Sequence, residues 1–312
     1  MTITQLVTHS GGFHADELLS SVVLTRLYPE ARLLRSRDRE ALTPAADKII
    51  YDVGGAFDAG AQIFDHHQRP GPMREDGQPY SSFGLIWAHY GRAYLAALDV
   101  PEEGIEAIHT KFDTKFVLPI DLLDNGAMEP SVAGPLSGMT LPALLGSLSP
   151  VFDDQSPTAN DDAFSSAMLI ARRFVEAQIR NLAAKARAVQ FVEDAIEKAG
   201  SSAILELPMG MPYLSVLDKS GADHILFVVI PRGDDWTLGG IKLSNDTFDQ
   251  RADLPAAWAG LTDTALEAAS GVKGAKFCHT ARFIAVADSR DAILKMAQIA
   301  VGEAAEQPVP AS

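Results

Sequence analysis

The chain has 312 residues, of which 47% are hydrophobic and 21% are charged, and its net charge at pH 7 is −15. These proportions are those of an ordinary globular protein, so they exclude a fibrous fold and wholesale disorder. The acidic balance also argues against non-specific binding to duplex DNA, because such binding depends on lysine and arginine side chains that neutralise phosphates.

The sequence predicts neither a secretory leader nor a membrane span. The first residues lack the basic start and long apolar run of a signal peptide. The apolar stretches elsewhere are strand-sized and are interrupted by charges, so none reaches the length that crosses a bilayer. Cys278 is the single cysteine, so no intrachain disulfide can form. These features predict an intracellular, cytoplasmic protein.

The first 70 residues predict strands that alternate with a helix. Residues 5–8 have the pattern of a short strand, and residues 17–28 repeat leucine and valine at helical spacing. Further strands are predicted at 32–35, 48–53 and 63–64. Strands and a helix in this order, with polar residues at the strand ends, are typical of a parallel α/β sheet. Ligands of such sheets collect beyond the carboxyl ends of the strands.

The middle of the chain predicts helices at 81–98 and 102–123. A loop or lid follows at 129–160, because this segment is rich in proline, serine and glycine. A long alanine-rich helix is predicted at 163–199, and strand-like runs then alternate with turns. The remaining predicted elements are strands at 203–207, 213–217, 224–230, 236–243 and 283–287, and a helix that begins near residue 291.

These elements predict two domains joined by a helix. Residues 1–160 would form a parallel-sheet α/β domain with helices on both faces, and residues 161–200 would form the connecting helix. Residues 201–305 would form a smaller α+β domain, and residues 306–312 a disordered tail.

Histidine and aspartate residues gather at three predicted strand ends. They are His9, His14 and Asp16 after the first strand, Asp52 at the end of a later strand, and Asp65, His66 and His67 after the next. Imidazole together with carboxylate suits manganese, zinc, iron or cobalt better than calcium. Two such ions can lower the pKa of a bridging water and stabilise the leaving oxygen of a phosphoryl group. Asp52 is the candidate for the carboxylate that both ions share.

Each of these groups also has a plainer explanation. A histidine pair such as His66 and His67 is often only a surface or capping pair. Asp16 alone is most simply a carboxylate in the first turn of a helix, and Asp52 before two glycines is compatible with a simple turn. Because all three groups follow successive strands, their combination favours a metal site.

Four N-terminal motifs are specific enough to identify a family. They are THSGGFHADE at 8–17, YDVGG at 51–55, FDHHQ at 64–68 and PIDLLDNG at 119–126. They resemble the motifs of the melanocyte-proliferating-gene exonuclease family, an offshoot of the DHH phosphoesterase superfamily. Stretches at 248–251, 254–255, 258–261 and 277–279 fit as well, so the resemblance spans nearly the whole chain. It implies that residues 1–160 form a DHH-type catalytic domain.

The resemblance implies two divalent metal ions. One ion would be held by His9, His14 and Asp52, and the other by Asp16, Asp52, His66 and Asp121. The wider superfamily usually has aspartate at the position of His14, and neutral imidazole there lowers the negative charge at the first ion. Mn²⁺ is the expected ion, and Zn²⁺, Mg²⁺, Fe²⁺ and Co²⁺ stay open as alternatives.

The resemblance also implies supporting roles for neighbouring residues. His67 would face the substrate phosphate as an electrostatic stabiliser or an acid. Asp65 would orient His66 through its other ring nitrogen. Asp121 and Asp124 lie three residues apart at a helix end, so both could face the site. Asp121 is favoured as the ligand, and Asp124 with Asn125 would cap the helix or support the ligands.

In the second predicted domain, Arg251 and His279 are candidates for gripping a substrate phosphate or a terminal nucleotide. The plainer alternatives are a solvated loop arginine and a buried structural histidine. Arg282 stands where the family usually has glycine, and its charge near the expected substrate cleft complicates any transfer of substrate preference. A catalytic role for Cys278 is not expected, because no base lies at a motif distance.

The leading functional prediction is a two-metal phosphodiesterase that degrades short or single-stranded nucleic acid from one end. RNA is the expected polymer. A small-molecule phosphohydrolase acting on pyrophosphate or a dinucleotide is the first alternative, since a long polymer should prefer a positively charged track. A non-catalytic, metal-stabilised scaffold is the second alternative. The sequence leaves the oligomeric state open, a homodimer included.

Overall fold

A computed structural model describes residues 2–244 and 247–306, and the side chains of residues 130–133, 135 and 306 fall outside this description. The chain divides into two units, Met1–Ala183 and Ala184–Ser312. From residue 307 onward, the predicted disordered tail lies outside the described residues.

A five-stranded sheet organises the first unit, with the strand order β2-β1-β3-β5-β4. Its strands are β1 (Gln5–Thr8), β2 (Arg32–Arg35), β3 (Lys48–Tyr51), β4 (Phe57–Asp58) and β5 (Ile63–Phe64). Strands β1, β2, β3 and β5 are parallel, and β4 is an antiparallel edge strand. This arrangement confirms the predicted parallel α/β class. Strand β4 was not predicted, because two residues are too short to show a period.

Helices cover one face of this sheet. Helices α1 (Ala15–Leu27) and α2 (Ser82–Ala96) contact its strands. Helices α3 (Glu102–Phe112), α4 (Leu118–Asp124) and α5 (Leu141–Gly146) pack against α1 and α2. A π-helical turn, Asp113–Val117, joins α3 to α4, and a 3₁₀ segment spans Pro130–Met139. Leu6, Tyr51 and Phe64 point to this face and join the main core with the buried residues of α1 and α2.

The opposite face of the sheet is covered differently from the prediction. Val7, Ile50 and Ile63 alternate to this side and pack with Ala41 and Leu42. These two residues belong to the loop between β2 and β3, so a loop rather than a helix covers this face in the described part of the chain. The physical reason is that residues 36–47 lack the apolar repeat that a helix needs to bury one side.

Helix α6 (Ala159–Ala199) is 41 residues long, and the boundary between the two units falls inside it. Its first part contributes Phe164 and Val175 to the core of the first unit, and its last part contributes Val192 to a core of the second. The domain limits set at residues 160 and 200 stay predictions. None of the described helices is both long and apolar enough to cross a lipid bilayer.

The second unit contains another five-stranded sheet, with the order β6-β7-β8-β10-β9. Its elements are β6 (Ile204–Glu206), α7 (Leu214–Ser220), β7 (Phe227–Arg232), β8 (Asp235–Gly240), α8 (Asp263–Ser270), β9 (Ala275–Cys278), β10 (Ile284–Ala287) and α9 (Arg290–Glu306). Strands β6 and β7 are parallel and the other pairs are antiparallel. This confirms the predicted α+β class.

One predicted strand of this unit is wrong. Tyr213 is the N-terminal cap of helix α7, residues 214–217 begin the helix, and Gly221 caps its end in the left-handed conformation. A short run that is mostly apolar does not by itself distinguish a strand from one side of a short helix. Here Val216 and Leu217 bury their side chains in the core as part of the helix. Helix α8 and strand β9 were not predicted.

Candidate metal centre

The site begins where three neighbouring strands end. Strands β1, β3 and β5 lie side by side and run parallel, so their carboxyl ends share one edge of the sheet. His9 directly follows β1, Asp52 directly follows β3, and His66 follows β5 two residues later. Asp52 has a φ of +55°, which an L residue adopts only under local constraint. Such conformations are typical of functional sites.

Asp52 joins the two histidines through its two carboxylate oxygens. Its Oδ2 lies 3.2 Å from Nε2 of His9, and its Oδ1 lies 3.2 Å from Nε2 of His66. Burial acts to raise the pKa of Asp52, but the hydrogen bonds from His66 and His9 outweigh it and hold that pKa below its usual value. The central position of Asp52 is the one expected of a carboxylate shared between two cations.

Asp16 lies beside this group and has unused acceptor capacity. It is the second residue of α1 and is 1% exposed, and neither carboxylate oxygen has a hydrogen-bond partner among the described residues. Burial raises the pKa of Asp16, and repulsion from Asp52 and Asp124 raises it further. A buried carboxylate without donors is destabilising. A bound cation would satisfy it, so this residue fits a metal site.

Glu17 belongs to the same cluster, although the sequence analysis gave it no role. Its Oε1 lies 3.1 Å from Nε2 of His9, and both of its carboxylate oxygens accept from the backbone N–H of His14 at 3.0 Å. Burial acts to lower the pKa of His9, but the hydrogen bonds to Asp52 and Glu17 raise it to about 10. A local sequence pattern could have revealed Glu17, because a glutamate three residues after the N-cap residue, here His14, forms a capping box.

Several sets of candidate ligand atoms lie within 4.8 Å of one another. They are His9, His14 and Glu17; Asp52, His66 and His67; His14, Asp16 and Asp124; and Asp16, Glu17 and Asp52. The sets overlap, so they form one continuous cluster, which we call the strand-end cluster. Its imidazole and carboxylate donors fit manganese, iron, cobalt or zinc.

Asp121 lies outside the strand-end cluster, and this corrects the preference for Asp121 over Asp124. Its Oδ1 accepts from both the backbone N–H and the hydroxyl of Ser81, at 3.1 and 2.7 Å. Its Oδ2 is paired with Arg74 at 2.6 Å. Burial raises the pKa of Asp121 to about 6 despite these bonds. An added Cβ at Gly84 would collide with this carboxylate, so Asp121 is packed against α2 as part of the fold.

Asp124 occupies the place expected for Asp121. Its Oδ2 lies 3.3 Å from Nε2 of His66, and its side chain is 17% exposed. Burial raises its pKa, although the charge of His66 opposes that rise. Asn125 supports the same histidine, since its Oδ1 lies 3.4 Å from Nδ1 of His66. The supporting role of Asn125 stays a prediction, and Asp124 becomes a ligand candidate.

Asp65 orients a different histidine from the one predicted. Its Oδ1 lies 2.7 Å from Nδ1 of His67, and it also accepts from the backbone N–H of His66 at 2.8 Å. Its Oδ2 accepts from the backbone N–H of Gly55 at 2.6 Å. Asp65 therefore holds the turn and the ring of His67, whose side chain is 62% exposed. Asn125, rather than Asp65, approaches the second ring nitrogen of His66.

A cavity of about 440 Å³ opens over the strand-end cluster. Arg37 is the one lysine or arginine among the described residues that line it, and it is exposed. Its Nε donates to the carbonyl of Ser10 at 3.4 Å. Arg37 was not predicted from the sequence, because Arg37 follows the predicted strand 32–35 and belongs to no recognisable motif. The three-dimensional fold alone brings it to the cluster.

In the second unit, Arg251 is fully engaged by the protein. Its Nη1 donates to the carbonyls of Ala222 and Ile225 at 2.8 and 3.1 Å, and its Nη2 lies 3.3 Å from Asp218. The side chain is 8% exposed. A guanidinium that is buried and bonded in this way is not available to a phosphate. The structure therefore corrects the prediction that Arg251 grips substrate.

His279 and Arg282 occupy one turn between β9 and β10. The Nδ1 of His279 accepts from the backbone N–H of Ala281 at 3.0 Å, and its ring contacts Phe283 with centroids 4.4 Å apart. Arg282 has a φ of +58°, which explains why glycine suits this position. Its guanidinium is paired with Asp253 at 2.6 Å. The substrate-binding role of His279 stays a prediction.

Cys278 is buried at the end of β9, where burial raises the pKa of its thiol to about 11. Since only the thiolate is a strong nucleophile, this environment disfavours a catalytic role.

The chain matches a family model named for the MYG1 exonuclease and described as "Uncharacterised protein family (UPF0160)", over residues 5–301. It is 32% identical to the MYG1 exonuclease of Mus musculus, over 99% of this chain and 87% of that protein. It is 31% identical to the MYG1 exonuclease of Homo sapiens, over 99% and 88%. A MYG1 protein of Saccharomyces cerevisiae is 30% identical over 95% of both chains.

Solved structures of the exonuclease RecJ are also similar, but only distantly. One bound to manganese has 13% identity and a TM-score of 0.27, with 97% of this chain and 91% of that chain covered. RecJ from Thermus thermophilus in complex with Mn²⁺ has 14% identity and a TM-score of 0.26. That alignment covers 98% of this chain and 53% of the RecJ chain. Likenesses at these TM-scores carry no argument about fold or activity.

Proposed function

The chain belongs to the MYG1 exonuclease family, and from this premise we propose that it is a divalent-metal-dependent exonuclease acting on short, single-stranded nucleic acid. The observation that carries the proposal is the strand-end cluster, in which Asp52 contacts two histidines and buried Asp16 lacks any described donor. RNA is the first polymer to test, as predicted from the sequence.

Two overlapping halves of the strand-end cluster would each hold one ion. His9, His14, Glu17 and Asp52 would hold the first, and Asp16, Asp52, His66 and Asp124 the second. When bound, divalent ions supply Lewis acidity toward the phosphate and lower the pKa of a water molecule. Mn²⁺ is the ion proposed for the test, since the mixed nitrogen and oxygen donors suit it.

His67 is the candidate for moving a proton during the reaction. Its Nδ1 is held by Asp65 at 2.7 Å, which fixes the ring and favours the Nδ1–H form. In the imidazolium form the exposed Nε2 also carries a proton, and donating that proton to the leaving oxygen returns the ring to its neutral Nδ1–H form. The Asp65 carboxylate keeps the ring oriented for this transfer, as the aspartate of a catalytic triad does.

Arg37 is the candidate for holding the substrate phosphate. It lines the cavity over the strand-end cluster, and a guanidinium can donate two parallel hydrogen bonds to a phosphate. Arg37 thus replaces Arg251 as the residue proposed to grip the substrate phosphate. It places the positive charge next to the carboxylates in the same unit.

The decisive experiment incubates the purified chain with Mn²⁺ and end-labelled single-stranded RNA and DNA oligonucleotides. We expect mononucleotides to be released one after another by the wild type and not by Asp52→Asn. Asp153→Asn is the matched control, because Asp153 is an exposed carboxylate that is neither in the strand-end cluster nor among the residues that line its cavities. Absence of cleavage by the wild type, or equal cleavage by Asp52→Asn, would overturn the proposal. Orthophosphate release from a small ester alone would favour the small-molecule alternative.

A further inference from the structure

A second cavity of about 550 Å³ adjoins the strand-end cluster in the first unit. It shares part of its wall with the 440 Å³ cavity that contains Arg37, since Phe13, His14, His66, His67 and Asp124 line both. The candidate ligands therefore stand between two spaces. A substrate whose phosphate lies at the cluster would extend its neighbouring groups into one or both of them.

The lining of this second cavity differs in chemistry from that of the first. Away from the cluster it is largely apolar, with Phe13, Ala15, Ile120, Leu123, Pro142 and Ala143 contributing to its walls. No lysine or arginine occurs among the described residues that line it. A phosphate in this space would have no basic side chain to pair with, and burial of an unpaired charge is unfavourable.

Size and chemistry together define the occupant. Small-molecule sites have volumes of about 300–1,000 Å³ and are mostly apolar, with a few polar groups that set orientation. A nucleoside is neutral, has a broad apolar face and is linked directly to a phosphate. We propose that this cavity, which we call the α4–α5 pocket, receives the sugar and base of the substrate's terminal nucleotide. This inference rests on the proposed function and names the part of the substrate that the site recognises.

The polar side chains of the α4–α5 pocket predict little discrimination between bases. Asn125 donates through Nδ2 to the carbonyls of Tyr80 and Asp121, at 3.1 and 2.9 Å, and its Oδ1 lies close to His66. Thr140 caps α5 by accepting from the backbone N–H of Ala143. Because these two side chains are already engaged within the protein, Ser137 is the main remaining neutral side chain that could bond a base edge, and recognition depends chiefly on shape and apolar contact.

The pocket also makes a small inorganic substrate a poor fit. Pyrophosphate would use the cavity that contains Arg37 and leave the apolar walls around Ile120, Leu123 and Pro142 in contact with water. Between the two small-molecule alternatives, the structure therefore favours a dinucleotide over pyrophosphate. A dinucleotide and the end of an oligonucleotide present the same nucleoside group to this pocket.

A steric block tests the proposal without touching a candidate ligand. Gly146 lies at the end of α5 and lines the pocket, and an added Cβ there would meet no atom within 4 Å. Gly146→Phe should therefore fill the pocket while the fold is kept. Ala143→Trp is the second blocking variant, and Gly302→Phe in α9 is the matched control, since Gly302 also faces open space.

The measurement is calorimetric binding to the Mn²⁺-loaded protein of inorganic phosphate and of adenosine 3′- and 5′-monophosphate. In the wild type and in Gly302→Phe, we expect at least one nucleotide to bind about tenfold more tightly than phosphate, a difference of about 1.4 kcal/mol. Both blocking variants should lose this difference while their affinity for phosphate is unchanged.

The outcomes separate this inference from the proposed function. If a blocking variant binds phosphate and keeps the full advantage of both nucleotides, the pocket is not the nucleoside site, although the metal centre stands. If the wild type binds neither phosphate nor nucleotide in a Mn²⁺-dependent manner, the proposed function itself fails. Replacing adenosine with cytidine should change the nucleotide affinity by less than about tenfold, and a larger change would contradict recognition by shape.

Discussion

The strand-end cluster in the first unit and the surroundings of Arg251 in the second use buried charge in opposite ways. In the cluster, neither carboxylate oxygen of Asp16 has a hydrogen-bond donor within the described residues. Around Arg251, the guanidinium donates to two carbonyls and approaches Asp218, so its charge is satisfied by the protein itself. Buried polar groups are normally satisfied, and an exception needs an explanation. Unused hydrogen-bonding capacity of buried groups, rather than charge alone, therefore marks the candidate site.

The largest expected effect comes from Asp52, at the centre of the cluster. Asp52→Asn removes the charge that both halves would share while it keeps the side-chain volume. We expect nuclease activity to fall on the order of 10³-fold, the upper range for removal of one strong electrostatic group. Rates on end-labelled oligonucleotides check this, with Asp153→Asn as the control. A loss of less than fivefold would contradict the central role of Asp52.

The next largest effect concerns the proton-moving pair. His67→Gln should lower kcat by about 10²-fold with a smaller change in KM, because the proton donor would be lost while substrate binding is kept. Asp65→Asn should lower kcat by about tenfold, since it removes a partner that orients His67. A variant set in which KM rises and kcat is unchanged would place His67 in binding instead.

Asp121 and Asp124 lie in the same helix, but Asp121 is paired with Arg74 and Asp124 faces His66. Asp124→Asn should weaken Mn²⁺ binding by about 10–100-fold, while the melting temperature in the absence of metal is nearly unchanged. Asp121→Asn should instead destabilise the fold by about 2 kcal/mol, because Arg74 loses one charged, buried partner and keeps only Asp113. Calorimetric Mn²⁺ titration and thermal unfolding measure the two effects separately. The reverse pattern would restore Asp121 as the ligand.

The smallest expected effect separates the two arginines. Arg37→Gln should raise KM for an oligonucleotide about tenfold, since one charged hydrogen-bond donor to phosphate is lost. Arg251→Gln should leave KM within about twofold and lower the stability of the second unit, because its carbonyl partners lose their donor. Steady-state kinetics together with denaturant unfolding test both. An equal rise in KM for the two variants would remove the distinction between them.

The sequence was sufficient to locate the cluster but not to complete it. The polar residues His9, Asp52 and His66 follow apolar strand patterns and so mark the strand ends locally. The parallel sheet brings these ends together without further information. By contrast, the choice between Asp121 and Asp124 depends on Arg74, which is 47 residues from Asp121 in the chain. No pattern in the helix itself records that ion pair.

The same limit applies to the fold and to the second unit. The partners of Arg251 are backbone carbonyls near residues 222–225, and a carbonyl leaves no mark in the sequence. The run at 213–217 was interpreted as a strand because its apolar residues are compatible with either period, and the core contacts of Val216 and Leu217 show that it is part of helix α7. Local signals thus predicted elements, and tertiary contacts decided their roles.

The central claim is tested most directly by anomalous scattering from crystals of the chain grown with Mn²⁺. We predict two manganese peaks inside the strand-end cluster, on either side of the Asp52 carboxylate, and their loss in crystals of Asp52→Asn. A cluster without manganese in the wild-type crystals would contradict the account.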